Sequence, residues 1–302
     1  MLINYMKLMG VMLIVSLTGQ LSAQDLMDEL KDQKPETEYT YASFKTSRVV
    51  LGQSIESPAK KTLQFLVQHN FGSLNQGPYT FFGLDQSTIR LGFEYGITDR
   101  LSAGIGRSSY HKTFDGSLKY KILRQSTGKR VMPLSLSVYG SGELNTLKPV
   151  DQTQKVQFSS RLSYVAQLLI ARKFSSNLTL QLSPTYIHKN LVKTRADQND
   201  IFAAGLGGRV KLTKRTSMNA EYFYLLPGAT ADNYRNCLSL GFDIETGGHV
   251  FQLRFTNAQP LFESAFIAET TSRWNKGGIY FGFTINRIFN VGKHGETDWN
   301  RK

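Results

Sequence analysis

Serine and histidine side chains are the groups of this sequence that could perform hydrolysis. The histidines are His69, His111, His188, His249 and His294. Ser109 precedes His111 by two residues, and in a strand two side chains at that spacing lie on one face. A nucleophilic hydroxyl also needs a base and a third group that orients this base. Because the sequence specifies no third group, we predict no catalytic residue and no enzyme. A hydrolase that uses Ser109 is the least favoured alternative.

Metal, cofactor and thiol chemistry have even weaker signals. His69 and His188 have no partner at a metal-binding spacing. The glycine-rich stretch GLGGRVKL falls within a predicted strand, whereas a phosphate cradle needs a strand, a loop and a helix. Cys237 is the only cysteine, so the chain forms no internal disulfide, and a lone thiol in a strand is normally a small packed residue. We predict no metal site and no cofactor.

Charged residues on the polar faces of the predicted strands could bind charged solutes. We predict that these residues line a solute path: Arg90, Glu94, Lys119, Lys121, Arg161, Arg209, Lys211, Glu221, Asp243, Glu245 and Arg254. Seven of them are basic and four are acidic. A basic surplus inside a low-dielectric cylinder attracts anions and repels cations. Alternatively, opposite charges pair across the cylinder and close it.

Alternation of apolar and polar residues is the signal for the strands that must position these charges. In CLSLGFDIET, Leu238, Leu240, Phe242 and Ile244 alternate with polar or small residues. The alternation resumes after the turn TGG, which is the pattern of a β-hairpin. The same pattern recurs over residues 61–291 and predicts about twelve strands of roughly ten residues, the length that a tilted strand needs to cross a bilayer.

The connections between these strands alternate in length. ITDRL, QSTGKRV, FSSNL, LTKRT and TGG are short, whereas residues 71–86, 143–157, 188–200 and 257–276 form longer links. Short periplasmic turns and long external loops are typical of outer-membrane barrels, and this arrangement places both termini in the periplasm. Segment 257–276 is the longest loop candidate. It either folds inward as a constriction or lies outside as a partner surface.

Periodicity alone does not decide which way the apolar face points. A soluble sandwich or barrel has the same alternation with its apolar face inward. Aromatic residues near strand ends, such as Tyr95, Tyr186 and Phe289, suit the interfacial girdles of a membrane barrel. Closure of about twelve strands also removes every exposed edge. We therefore predict an all-β, up-and-down antiparallel transmembrane barrel over residues 61–291, with its apolar face in lipid.

The N-terminus has the features of an export signal. Lys7, the apolar run LMGVMLIVSLTG and the small residues before Ala23 predict a signal peptide over 1–23, cleaved near Ala23. Residues 24–60 are predicted to be a polar periplasmic segment that can bind a periplasmic protein, and 292–302 a polar tail. The net charge is +13. In an exported barrel this charge meets lipid head groups, lipopolysaccharide, small anions or simply water, so we expect no nucleic-acid partner.

Several segments resemble an uncharacterised family of Bacteroidota outer-membrane β-barrel proteins. The segments are TFFGLD, EYGITDRLSAGIGRSS, LKYKILRQSTG, QLLIARKFS, GGRVKLTKRTSMNAEYFY and DIETGGHVFQLRFTNAQ, and the similarity runs over about residues 43–291. The resemblance implies a barrel in the bacterial outer membrane. It implies no activity, substrate or catalytic residue.

Two functions besides the hydrolase remain open. The first is a narrow channel or transporter for small solutes, among which the basic surplus favours anions. The second is a scaffolding barrel that binds a periplasmic or surface partner. The sequence favours the channel and does not establish whether its lumen is open.

Overall fold

A computed structural model describes residues 36–292 except 150–155, 193, 196, 229, 231 and 233. The predicted signal peptide 1–23 and nearly all of the predicted tail 292–302 lie outside these residues. Within the described part of the chain, no helix is long and apolar enough to span a membrane.

The described chain is built almost entirely from antiparallel strands. Their bounds are β1 Thr37–Tyr39, β2 Thr62–Ser73, β3 Ser87–Gly96, β4 Leu101–Ser108, β5 Phe114–Leu123, β6 Ser126–Gly128, β7 Ser135–Leu144, β8 Leu162–Lys173, β9 Leu178–Lys189, β10 Asp200–Lys211, β11 Thr216–Leu225, β12 Cys237–Thr246, β13 His249–Thr256 and β14 Tyr280–Asn290. A short helix, α1, spans Glu263–Ala268. Strands β1 and β6 form a separate two-stranded sheet, and the other twelve form a closed barrel.

The barrel closes between its first and last strands. β14 pairs with β2 over a register that includes Phe289 opposite Leu63 and Phe283 opposite His69. Each remaining strand pairs antiparallel with its neighbour in sequence, apart from β5, which pairs with β7 past β6. The predicted fold class and strand number are confirmed. We call the end where β2 begins and β14 finishes the turn end, and the opposite end the loop end.

Side-chain direction alternates along the barrel strands and answers the question of orientation. In β3, Leu91 and Phe93 are 46% and 40% exposed on the outer face, whereas Arg90 and Glu94 are 3% and 8% exposed on the inner face. In β10, Leu206 is 53% exposed and Arg209 is 4% exposed. A closed barrel with an exposed apolar outer face is suited to hydrocarbon. The polar faces of the strands therefore surround the interior.

Two connections depart from the predicted alternation of short turns and long loops. The predicted turn QSTGKRV contains β6, so the link between β5 and β7 spans residues 124–134. At the loop end, the link between β4 and β5 has only residues 109–113, with a single 3₁₀ turn at Tyr110–Lys112. Alternation of length is thus a general property of this barrel and does not hold at every connection.

The largest difference from the sequence prediction concerns the segment before β2. Residues 24–60 were expected to be a polar periplasmic lead-in, but residues 43–55 are almost all buried. Their partners are the inward-facing side chains of six or more barrel strands, as described below. The chain enters the barrel from the turn end, reverses inside and returns to the turn end to begin β2. The barrel thus encloses part of its own N-terminal segment.

Candidate gate inside the barrel

The enclosed segment is a hairpin, and we call residues 43–57 the plug hairpin. The N–H of Val49 donates to the carbonyl of Gly52 over 2.8 Å, and that of Ser54 donates to Ser47 over 2.9 Å. Arg48 and Gln53 form the antiparallel bridge between the two arms. A Cβ on Gly52 would lie 2.8 Å from the ring of Phe223, so only glycine allows this close approach at the tip. The sequence VVLG therefore forms a tight turn inside the barrel.

Glu221 of β11 holds the tip of the plug hairpin. Its carboxylate accepts hydrogen bonds from the N–H groups of Val50 (3.1 Å), Leu51 (2.6 Å) and Gly52 (3.1 Å). A tight turn leaves these backbone donors without partners inside the turn, and a buried unpaired N–H is costly. One inward-facing carboxylate thus satisfies three donors of the segment that it encloses.

Basic and amide side chains of the wall bind the carbonyl groups of the plug hairpin and the residue before it. The ammonium of Lys119 donates to Ser54 over 3.1 Å and to Glu56 over 2.9 Å. The guanidinium of Arg209 donates to the carbonyls of Ala42 and Ser43. Gln181 and Gln252 donate to the carbonyls of Gln53 and Val49. These charges and amides therefore serve as backbone partners for an internal segment.

Apolar side chains of the plug hairpin also pack against the wall of the barrel. Phe44, Val49, Val50 and Ile55 form one buried cluster, together with Tyr139, Leu169 and Ala171 of β7 and β8. Leu51 belongs to a second cluster, which includes Phe223 and Phe266. Burial of these side chains favours the enclosed position of the hairpin.

A second segment fills the barrel from the loop end, and we call residues 257–270 the inner loop. Phe262 is 4% exposed and Phe266 is fully buried, so the predicted loop 257–276 takes its inward alternative over these residues. Asn70 of β2 donates to the carbonyls of Ala258 and Gln259, each over 3.1 Å. Glu143 of β7 accepts from the N–H of Ser264 over 3.2 Å and from its hydroxyl.

A buried ion pair joins the plug hairpin to the inner loop. The guanidinium of Arg48 pairs with the carboxylate of Glu263, and both side chains are 1% exposed. Gln53 donates to the same carboxylate over 2.8 Å, and Glu94 of β3 lies 3.5 Å from Arg48. Burial opposes ionisation of Glu263, but the Arg48 guanidinium holds the pKa of this carboxyl below its usual value. The two segments meet in the middle of the barrel through this pair.

The predicted solute-path residues divide into three groups by location. Seven are buried on the inner wall: Arg90, Glu94, Lys119, Arg209, Glu221, Asp243 and Arg254. Lys121, Lys211 and Glu245 are partly exposed near the turn end, where Glu245 pairs with Lys45 of the plug hairpin. Arg161 lies outside the strands at the loop end and donates to the carbonyl of Leu147 over 3.0 Å. In the first group, four residues contact the hairpin or the residue before it: Glu94, Lys119, Arg209 and Glu221. The other three bond to neighbouring side chains of the wall: Arg90, Asp243 and Arg254.

Sequence reasoning missed several charges that complete the interior. Asp115 of β5 pairs with Arg90. Two further wall residues bind the inner loop: Glu143 of β7 accepts from Ser264, and Lys189 of β9 pairs with Glu269. The wall residues with buried charges are Arg90, Lys119, Lys189, Arg209 and Arg254 on the basic side, and Glu94, Asp115, Glu143, Glu221 and Asp243 on the acidic side. The predicted basic surplus is therefore balanced on the buried wall. Asp115 and Glu143 could have been found by extending the alternation of β5 and β7 to the loop end.

The residues considered for hydrolysis have other surroundings. The hydroxyl of Ser109 accepts the N–H of Ile89 over 2.9 Å, and the His111 ring lies 4.1 Å from that of Tyr110. Within the described residues, no group of three or more histidine, cysteine or acidic side chains could hold a metal ion. The Cys237 thiol is buried in the cluster around Phe266.

Solved structures with a similar fold are membrane barrels. The NanC porin is 8% identical, with a TM-score of 0.46, and the match covers 75% of this chain and 98% of that one. An outer membrane channel from Pseudomonas putida F1 is 14% identical, with a TM-score of 0.48 and coverages of 78% and 97%. Outer membrane phospholipase A from Escherichia coli is 9% identical, with a TM-score of 0.44 and coverages of 78% and 92%. These likenesses carry no argument about function.

The family comparison covers the barrel together with its plug hairpin. No curated protein matches the chain. The family model described as Membrane bound beta barrel domain (DUF5777) matches residues 44–289. A closed barrel that is apolar outside and polar inside is the form in which strands cross the outer membrane, and the protein is located there. The chain belongs to the membrane bound beta barrel domain family (DUF5777).

Proposed function

We propose that the protein is an outer-membrane channel for small solutes that the plug hairpin closes at rest. The observation that supports the proposal is the nature of the contacts between hairpin and wall. Glu221, Lys119 and Arg209 bind backbone groups of the hairpin, and water can replace each of these hydrogen bonds. Once vacated, the wall would be lined mainly by charged and polar side chains. We propose no enzymatic role.

Withdrawal of the plug hairpin requires free energy supplied from outside the barrel. Phe44, Val49, Val50, Leu51 and Ile55 are each at most 5% exposed. Their burial is worth roughly 1.5–3 kcal/mol each, so withdrawal of the hairpin costs on the order of 10 kcal/mol before the ion pair is counted. Thermal motion rarely supplies this energy. We therefore propose that a periplasmic partner opens the channel by pulling on the chain before residue 43.

A closed scaffolding barrel is the second candidate, and the same apolar contacts favour it. If the hairpin is a permanent part of the core, the barrel conducts nothing and acts through its surfaces. The balanced charges of the inner wall also suit a filled interior. The two candidates differ in one property, which is conductance after removal of the hairpin.

Conductance in planar bilayers separates these candidates. The compared proteins are the natural chain and a variant in which residues 44–56 are replaced by a glycine-serine linker of equal length. We expect the natural chain to be nearly silent and the variant to carry a steady ohmic current. Far-UV circular dichroism and heat-modifiable gel mobility verify that the variant retains its barrel.

A folded variant that stays silent would show that the plug hairpin alone does not close the barrel. A second variant, in which residues 259–270 of the inner loop are also replaced, then separates the remaining candidates. If only this double variant conducts, the inner loop closes the barrel and the plug hairpin is not the gate. If the double variant is silent too, the protein belongs to the scaffolding class.

A further inference from the structure

A cavity of about 600 Å³ lies beside the plug hairpin at the turn end of the barrel. The returning arm of the hairpin forms one wall, with Ile55 and Glu56, and strands β5 and β7 form the other, with Lys121 and Ser137. Its volume lies within the usual range for sites of small molecules. The balanced charges of the inner wall do not indicate which class of solute the protein binds. The residues that line this cavity are therefore used to infer that class.

Four charged side chains, two of each sign, face this cavity. Lys121 and Arg124 are basic, whereas Glu56 and Asp99 are acidic. Among the ion pairs of the described residues, none joins any two of these four. The Arg124 guanidinium instead stacks over the ring of Tyr39 at 4.3 Å. The Glu56 carboxylate accepts the N–H of Ser43 over 2.8 Å. The cavity thus presents basic and acidic side chains that make no direct ion pair with one another.

One uncharged group beside the cavity lacks a partner. Ser137 borders the cavity and is fully buried, and its hydroxyl makes no hydrogen bond within the protein. A buried polar group of this kind normally bonds to the protein, to water or to a ligand. Lys121 of β5 and Ser137 of β7 lie directly opposite each other in the register of these strands. A donor and a hydroxyl are therefore adjacent on one wall.

We propose that this cavity binds a small zwitterion, such as an amino acid or a dipeptide. The carboxylate of the ligand would lie at Lys121 and Arg124, and its ammonium would lie at Asp99 and Glu56. A purely anionic or cationic molecule of similar length would leave one pair of charges unpaired and would bind more weakly. The inference deepens the proposed function by naming the class of solute. It depends on that function only for the claim that the ligand is transported.

Calorimetric titration of the detergent-solubilised full chain tests the site without opening the barrel. The probe is the dipeptide Ala-Ala, and the comparison ligands are succinate and putrescine. We expect Ala-Ala to bind at least tenfold more tightly than either one. Lys121→Gln and Asp99→Asn should each weaken Ala-Ala binding at least tenfold. Lys60→Gln removes the same charge at the exposed turn end and should leave the affinity unchanged.

The outcomes distinguish this site from the channel. Absence of Ala-Ala binding at millimolar concentration, equal binding of succinate, or unchanged affinity in Lys121→Gln would each overturn the zwitterion site. Ala-Ala binding by the natural chain, together with silence of both replacement variants, would retain the site and overturn the channel. Conductance of the hairpin-replacement variant without Ala-Ala binding by the natural chain would do the reverse.

Discussion

Replacement of Glu221 by alanine is expected to release the tip of the plug hairpin. The carboxylate is the acceptor for the N–H groups of Val50, Leu51 and Gly52, and it is 3% exposed. Each buried donor that loses its acceptor costs about 1–3 kcal/mol. The amides of residues 50–52 should therefore exchange with solvent roughly a hundredfold faster or more, because every 1.4 kcal/mol is a factor of ten. Hydrogen exchange read by mass spectrometry measures this change.

The glutamine variant supplies the matched control for Glu221. Glu221→Gln keeps one carbonyl acceptor of nearly the same size, so exchange at residues 50–52 should fall between the natural chain and Glu221→Ala. Amides of the central barrel strands should keep their protection in both variants. If residues 50–52 remain as protected in Glu221→Ala as in the natural chain, the carboxylate does not hold the hairpin.

Replacement of Glu263 by glutamine is the second change with a large expected effect. It leaves the Arg48 guanidinium buried with only the more distant carboxylate of Glu94. Breaking a buried ion pair by removing one partner costs about 3–5 kcal/mol, because the remaining charge is uncompensated. We expect the free energy of unfolding to fall by about this amount in denaturant titrations of the barrel in lipid vesicles.

A double variant and a surface pair provide the controls for Glu263. Arg48→Met combined with Glu263→Leu removes both charges, so it should recover most of the lost stability. Glu245→Gln breaks the pair with Lys45, in which the glutamate side chain is 47% exposed. This change should cost at most about 1 kcal/mol. Equal losses in Glu263→Gln and Glu245→Gln would show that the central pair does not join the two segments.

The barrel wall was predictable from the sequence because each strand is a local pattern. In β3 and β10 every second side chain faces lipid, so two-residue alternation reports the direction of each residue. Strand existence and bounds depend on this periodicity and on turn residues. Both signals lie within about ten residues of the chain, which is why twelve strands could be identified without any relative.

The contents of the barrel were not predictable in the same way. The plug hairpin is surrounded on all sides, so it shows no alternation, and its backbone bonds to side chains such as Glu221 rather than to a neighbouring strand. Arg48 and Glu263 are 215 residues apart in sequence, and no local pattern marks them as partners. One signal was present, however. The segment LSYVAQLLIARK of β8 is apolar on both faces, and its inward Leu169 packs against the hairpin cluster.

The filled interior changes the meaning of the predicted charges. Residues such as Lys119, Arg209 and Glu221 were expected to line a solute path, and the structure places them against the backbone of the plug hairpin. Their use as a path remains a proposal that applies to an open state. The sequence alternation located these charges, whereas their partners depend on a segment outside the strands.

The position of the plug hairpin is tested most directly by a disulfide between hairpin and wall. A Cβ built on Gly207 lies 3.8 Å from the Cβ of Val49, within the range of about 3.5–4.5 Å found in disulfides. With Cys237→Ser as background, Val49→Cys with Gly207→Cys should oxidise almost completely in the folded barrel. Val49→Cys with Leu206→Cys should not, because Leu206 faces outward. Intact mass after thiol blocking gives the disulfide fraction. A reduced 49/207 pair, or equal oxidation of both pairs, would contradict a hairpin inside the barrel.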